Sequence, residues 1–308
     1  MVTRDASSSA ALARYAWLSL AAAFATLALK ILAWVLTSSV GLLSDALESL
    51  VNVGASVMLL AMLRIAGRPA DDEHAYGRDK AEYFASGFEG MLVVIAAVAI
   101  AYTATARLLH PRLLDHAGIC LILTTAAAGV NFVVSRMLMR AGRRYRSIAL
   151  QADAQHLTTD VWTSAGVIVA VSLVALTGWV VLDPLVALAV AINILLIGWR
   201  LLQTSIGGLM DAAWPTEERM VLESVLDEFR AQGLRFHAVR TRCSGPRRFA
   251  SFHVLVPGTW TVQQGHDLLE DIEQRIAKRV PSVTLDTHLE PIEDPSSYQD
   301  QELDRHRS

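Results

Sequence analysis

Over half of this 308-residue chain is hydrophobic (53%) and its mean hydropathy is +0.37, yet charged side chains still make up 19%. That pairing excludes a disordered chain and does not suit an ordinary soluble domain. A formal net charge of −3 leaves no electrostatic footprint for nucleic acid. The charge is unevenly spread: residues 1–210 hold 28 of the 57 Asp, Glu, Lys and Arg side chains, and the last 98 residues hold the other 29. Cys120 and Cys243 are isolated and form neither a disulfide framework nor a zinc knuckle.

A helix crossing the hydrocarbon core needs about 20 mostly apolar residues. Six stretches meet that length: 15–37, 40–64, 85–108, 117–139, 149–177 and 180–206. The first carries Lys30 and is too long for a cleaved signal segment. A turn at Gly178 and Asp183-Pro184 makes the fifth and sixth a helical hairpin. Arg64, Arg68, Arg78 and Lys80 follow the second span, and Arg136, Arg140, Arg143, Arg144 and Arg146 follow the fourth. The positive-inside rule then puts both chain ends in the cytoplasm, with a bacterial inner membrane as the expected location.

Residues 211–293 read as helix, strand, strand, helix, strand. Thr216 is expected to cap a helix ending near Gly233, followed by strands at 234–243 and 248–257, an amphipathic helix at 261–279 and a strand at 282–289. That order predicts a small ferredoxin-like α/β domain behind a six-helix transmembrane domain at 1–210, with 294–308 as a disordered tail.

Ionisable side chains inside a bilayer are costly and normally face a cavity or a partner. The second span contains Asp45, Glu48 and Asn52, and the fifth contains His156 and Asp160. Glu48 with Asn52, and His156 with Asp160, are four residues apart, so each pair shares a helical face. Two such helices can converge on one divalent cation. Carboxylates with one imidazole suit zinc, ferrous iron or manganese better than copper(I), and the imidazole can exchange metal for protons. Ser44, Ser49 and Thr159 fit helix packing instead. Lys30, Glu89 and Arg200 are lone charges in the spans; Lys30 and Arg200 can snorkel or pair, and none of the three is assigned a role.

Five strings resemble the cation diffusion facilitator family, in particular its bacterial zinc and ferrous-iron efflux branch. They are SSVGLLSDALESLVNVGAS at 38–56, PADDEHAYGRDKAE at 69–82, ADAQHLTTD at 152–160, GGLMDAAWP at 207–215 and HAVRTRCSGPRRF at 237–249. The resemblance covers about residues 10–293. It implies a homodimer that exports divalent cations in exchange for protons, through alternating access of a mid-membrane site formed by Glu48, Asn52, His156 and Asp160. Asp45 is a further candidate ligand one turn away. His156 and Asp160 match the family motif, whereas Glu48 and Asn52 stand where the family usually has Asp or His, then Asp.

The resemblance also implies a loop site at Asp71 and His74, whose third ligand position is Arg78 here. It further implies a cytoplasmic regulatory metal site at His237, His253, His266, His288 and Glu290, and a charge pair of Lys80 with Asp211. Four histidines on two strands, a helix and a last strand agree with a zinc cluster. The expected cargoes are zinc or ferrous iron first, then manganese, cobalt and cadmium; the expected partners are protons, lipid and a second copy of the chain, with no organic cofactor. The rival expectation is a metal-sensing or partner subunit of the same family that transports poorly. An intramembrane hydrolase ranks low for want of an HExxH-type motif.

Overall fold

The structure, a computed structural model, describes residues 6–37, 40–109 and 117–299. Side chains are described from residue 10 on, apart from 33, 36–48, 117–121, 123–124, 167, 171 and 175. The chain divides into two units, Thr3–Gly207 and Gly208–Ser308.

The first unit is a bundle of long helices: α1 (Ala6–Thr37), α2 (Val40–Ala66), α3 (Ala81–Leu109), α4 (Ala117–Arg144), α5 (Ile148–Thr177) and α6 (Leu182–Leu209). Among the described residues, five of these are long and apolar enough to cross a membrane. The other, α4, has the length but is the least apolar, and carries Asn131, Ser135, Arg136 and Arg140. Leu12 and Ala16 of α1, Leu59 of α2, Leu138 of α4 and Leu150 of α5 pack into one core. Val93 and Ala97 of α3 pack on Ile194 of α6. Phe24, Val57, Ile95, Phe132, Ile192 and Leu196 are each half-exposed or more, so the bundle presents apolar side chains outward as well as inward. A helix apolar on all sides is a membrane span rather than a surface helix of a soluble domain.

Small residues let α3 and α6 approach closely. A Cβ added to Gly198 would lie 2.8 Å from Val94 Cγ2 and 3.1 Å from the Val94 backbone nitrogen. One added to Gly90 would lie 3.1 Å from the backbone nitrogen of Leu202.

The start of α5 is fixed by two side chains. Ser147 is extended and its hydroxyl accepts from the Leu150 N–H at 3.3 Å, which caps the helix. Glu82, in the first turn of α3 and fully buried, accepts from the Ser147 hydroxyl at 2.6 Å and from the Ala149 N–H at 3.3 Å. A carboxylate at a helix N-terminus is also favoured by the helix dipole. At the other end Gly178 adopts φ 73, its N–H bonds the Val174 carbonyl at 2.8 Å, and α5 stops.

The second unit contains α7 (Thr216–Arg230), β1 (Arg235–Ser244), β2 (Arg247–Val256), α8 (Val262–Arg279) and β3 (Val283–Pro291). The strands lie in the order β1-β2-β3, with β1 antiparallel and β3 parallel to β2. A parallel pair needs a crossover, which α8 supplies. Leu222, Leu226 and Phe229 of α7, Phe252 and Val254 of β2, and Ile272 and Ile276 of α8 form its core. This is the expected αββαβ order, and with the long apolar helices it gives the expected fold class.

Two local expectations need correction. Thr216 is the first residue of α7 rather than its cap; Pro215 holds the cap position and offers no side-chain hydrogen bond. The side-chain cap sits on α8, where Thr261 and Gln264 form a capping box. Part of the segment expected as a tail is also ordered locally. Residues 295–298 form a short 3₁₀ turn capped by Asp294, and Ser297 Oγ donates to the Pro291 carbonyl at 2.9 Å. Residues 300–308 lie outside the described residues.

Replacing Glu82 with alanine leaves the Ser147 hydroxyl and the Ala149 N–H without this acceptor. Charge-assisted hydrogen bonds contribute about 1.5–3 kcal/mol each, so Glu82→Ala is expected to lower the thermal unfolding midpoint in detergent by several degrees. An unchanged midpoint would show that the α3–α5 junction does not depend on Glu82.

Candidate metal centres

The β1/β2 register pairs His237 with His253, and the β2/β3 register pairs His253 with His288. Three imidazoles therefore stand in one row across the sheet. Side chains alternate along a strand, so Phe252 and Val254 enter the core while His253 takes the opposite face, and Glu290 shares the face of His288. The β1 register slips between His237 and Arg240, and Ala238 sits at φ 51. A bulge of this kind re-aims side chains and here leaves His237 opposite His253.

His237 Nε2 lies 2.7 Å from Glu290 Oε2 and 3.1 Å from His253 Nδ1. His253 Nδ1 is 3.3 Å and His288 Nε2 3.7 Å from Glu290 Oε1. The ligand atoms of His237, His253 and Glu290 all fall within 4.8 Å of one another. A buried carboxylate faced by imidazoles is the donor chemistry of a zinc site, so these residues fit a resident divalent cation. His288 adds a fourth donor at the exposed edge. His266 is exposed on α8 and is not among the three donors that converge.

The 71–78 loop is arranged around a cation of its own. Arg78 donates to Asp71 Oδ2 at 2.7 Å and to His74 Nδ1 at 2.9 Å. A guanidinium only donates, so His74 Nδ1 is an acceptor. Its 3.5 Å approach to Asp71 Oδ1 is then not a hydrogen bond. The His74 N–H closes the turn on Asp71 Oδ1 at 2.9 Å. Arg78 holds the Asp71 carboxyl below the usual carboxylate range, mainly through that hydrogen bond. The loop's ion pair is therefore intact above the ordinary carboxylate range and is lost as pH falls through Asp71's lowered value.

In the membrane unit, four helices contribute to one buried network. Asn52 Nδ2 of α2 and Asn131 Nδ2 of α4 donate to Asp160 Oδ2 of α5 at 3.1 and 3.2 Å. Asn52 Oδ1 lies 3.0 Å from His156 Nε2, and the other ring nitrogen, Nδ1, lies 3.0 Å from Glu89 Oε2 of α3. Three of the four expected residues are thus in contact. Glu48 and Asp45 belong to α2, but their side chains lie outside the described residues. The network assigns hydrogens by itself: Asp160 takes donors, so the Asn52 amide turns its oxygen to His156. The ring then donates at Nε2 to Asn52 Oδ1, while Nδ1 faces the Glu89 carboxylate at 3.0 Å without hydrogen-bond geometry.

Asp160 also lines a cavity of about 300 Å³, together with Lys30, Asn131, Ser164, Arg107 and Asp183. Arg107, near the end of α3, and Asp183, at the start of α6, form an ion pair at 3.3 Å. Sequence reasoning left Lys30 without a place; it stands in the wall of this cavity. Arg200 is exposed on α6.

Glu89, Asn131 and Asp153 were missed. Asp153 is buried one turn before His156. Glu89 and Asp153 carried a signal, the cost of an acid inside a span, whereas a neutral amide such as Asn131 carries none.

Comparison with known proteins places both units. The model of the cation efflux transmembrane domain matches residues 16–210, and that of the cation efflux protein cytoplasmic domain matches 214–292. The chain belongs to the cation diffusion facilitator family. It is 52% identical over 285 residues to an uncharacterized transporter of Synechocystis sp., covering 92% of both chains. It is 32% identical over 272 residues to the cation-efflux pump FieF of Klebsiella pneumoniae, covering 88% of this chain and 90% of that one. A solved structure of CzrB in its zinc form covers 26% of this chain and 91% of its own, at 34% identity and TM-score 0.24. The family makes this an integral membrane transporter of metal cations rather than an enzyme.

Two substitutions test the sites outside the bundle. Glu290→Ala is expected to remove one zinc equivalent per chain in equilibrium dialysis of the full-length protein; an unchanged stoichiometry would remove the row of histidines as a metal site. Arg78→His exchanges the internal cation for a third donor and is expected to add a zinc equivalent, lost again in Arg78→His/His74→Ala. No gain would show that the loop geometry cannot accept an ion.

Proposed function

We propose that the chain is a homodimeric, proton-coupled exporter of divalent cations working by alternating access, with zinc and ferrous iron the first cargoes, followed by manganese, cobalt and cadmium. The observation that carries this reading is the contact of Asn52, His156 and Asp160 inside the bundle, with Asp160 also in the wall of a cavity. A divalent cation bound by Nε2 and the Asp160 carboxylate has to displace the Nε2 proton and the amide hydrogens. Metal ligands bind deprotonated, so cation loading releases protons, and exchange follows from the chemistry of the site. Glu48, one turn from Asn52, is the fourth ligand in this reading, with Asp45 in reserve.

The cytoplasmic donors His237, His253, His288 and Glu290 hold a regulatory metal, and binding there stabilises the dimer by linkage. Lys80 with Asp211 is the charge pair that the resemblance implies in this reading, and Asp211 already has Arg242 at 3.4 Å. Both termini face the cytoplasm of a bacterial inner membrane, which agrees with the basic residues after α2 and α4.

A second reading, a metal-sensing partner subunit that transports poorly, draws on Asn52 and on Arg78 in the loop site. Flux in proteoliposomes decides between them. Full-length protein is expected to move at least one of zinc, ferrous iron, manganese, cobalt or cadmium faster when an opposing proton gradient is imposed, and Asp160→Asn to reduce that flux to background. Flux indifferent to the pH gradient would remove the antiport mechanism. No flux of any ion, with zinc still bound through Glu290, would establish the partner subunit.

A further inference from the structure

Glu89 stands in the apolar run of α3 between Phe88 and Gly90 and is 1% exposed. Neither carboxylate oxygen makes a hydrogen bond of good geometry among the described residues, and its close polar contact is His156 Nδ1 at 3.0 Å. Asp153, the other buried acid near the ring, turns to Ser19 of α1 instead. The ring is thus held between α3 at Nδ1 and α2 at Nε2, where Asn52 Oδ1 sits 3.0 Å away.

We infer that Glu89 is a positioning residue for the cation site: by holding Nδ1 it orients the His156 ring and leaves Nε2 as the nitrogen offered to the cargo. The inference rests on the reading of Asn52, His156 and Asp160 as that site. An imidazole cannot present both nitrogens to one ion, and which one binds follows from what the other faces, here the Glu89 carboxylate at 3.0 Å. A carboxylate at the far nitrogen also raises ring basicity and so strengthens a metal–nitrogen bond. Glu89 brings negative charge as well. Asp160 and the buried Asp153 are further carboxylates near the ring.

A residue acting through an imidazole affects metals unequally. Cobalt(II) gains more from a nitrogen ligand than manganese(II), which is content with oxygen. Uptake of each ion is measured in proteoliposomes of full-length protein, resolving KM from kcat. Glu89→Gln is expected to raise the KM for cobalt about 10–100-fold, with a smaller rise for manganese. Glu89→Asp keeps the charge on a shorter arm and should fall between parent and Glu89→Gln.

A Glu89→Gln variant with parent-like KM overturns the role. So does an equal loss for both ions, which is what general electrostatics or a packing defect would give, or a Glu89→Asp variant as impaired as Glu89→Gln. Saturable uptake by the parent with any of these results removes only Glu89. A parent without saturable uptake of cobalt, manganese, zinc, ferrous iron or cadmium removes the cation site itself, and the role of Glu89 with it.

Discussion

One imidazole held at both nitrogens organises the membrane unit. His156 is buried on α5, with a carboxylate of α3 at 3.0 Å on one side and an amide of α2 at 3.0 Å on the other. Asn52 then passes the connection to Asp160, which takes a second amide from α4. Four helices acquire a defined mutual rotation there, alongside the Glu82 contact that joins α3 to the start of α5. Polar groups without water must find partners within the protein, so the network fixes registry as well as chemistry. The same geometry makes it sensitive, since a cation entering it has to replace several hydrogen bonds at once. That is how a small ion can bias the packing of whole helices.

The second unit reaches a metal-fitting cluster by a different route. There the backbone ladder does the placing: two registers, one antiparallel and one parallel, align three histidines. The pleat keeps them off the core face that Phe252 and Val254 occupy. Glu290 joins because it lies two residues beyond His288 on the same strand. The helix ligand expected at His266 belongs to an element exposed at that position. Strand ligands are set by the sheet, whereas one on α8 depends on how that helix lies over the sheet.

These differences explain what was legible in the sequence. Long apolar runs and the αββαβ order are one-dimensional patterns, and both are found. Helical spacing placed His156 and Asp160 on one face, and the family resemblance singled out His253 and Glu290. Glu89 was visible as a charge without a purpose, because its partner lies 67 residues away on another helix and no periodicity links them. Asn131 gave no signal, since an amide in a span is cheap enough to be ordinary. Thr216 misled because a good capping residue one position late is a first-turn residue, and only backbone geometry separates the two.

Arg78 and Lys30 share a physical role that bears on how selective this chain can be. Each places a tethered cation where a free ion would otherwise be attracted. Arg78 lies between Asp71 and His74, and Lys30 lines the same cavity as Asp160. A guanidinium fixed by its own chain has an effective concentration far above that of any trace metal. In the loop it satisfies both acceptors with short bonds, so the 71–78 turn keeps its shape without an ion. Lys30 acts over a longer distance and on one side of Asp160. It lowers the attraction of the cavity for monovalent cations as well as divalent ones. A divalent ion offsets that repulsion only by gaining the imidazole and the carboxylate together. On the proposed reading of this network as the cation site, selection falls on the ligands around His156 rather than on the charge of the cavity wall.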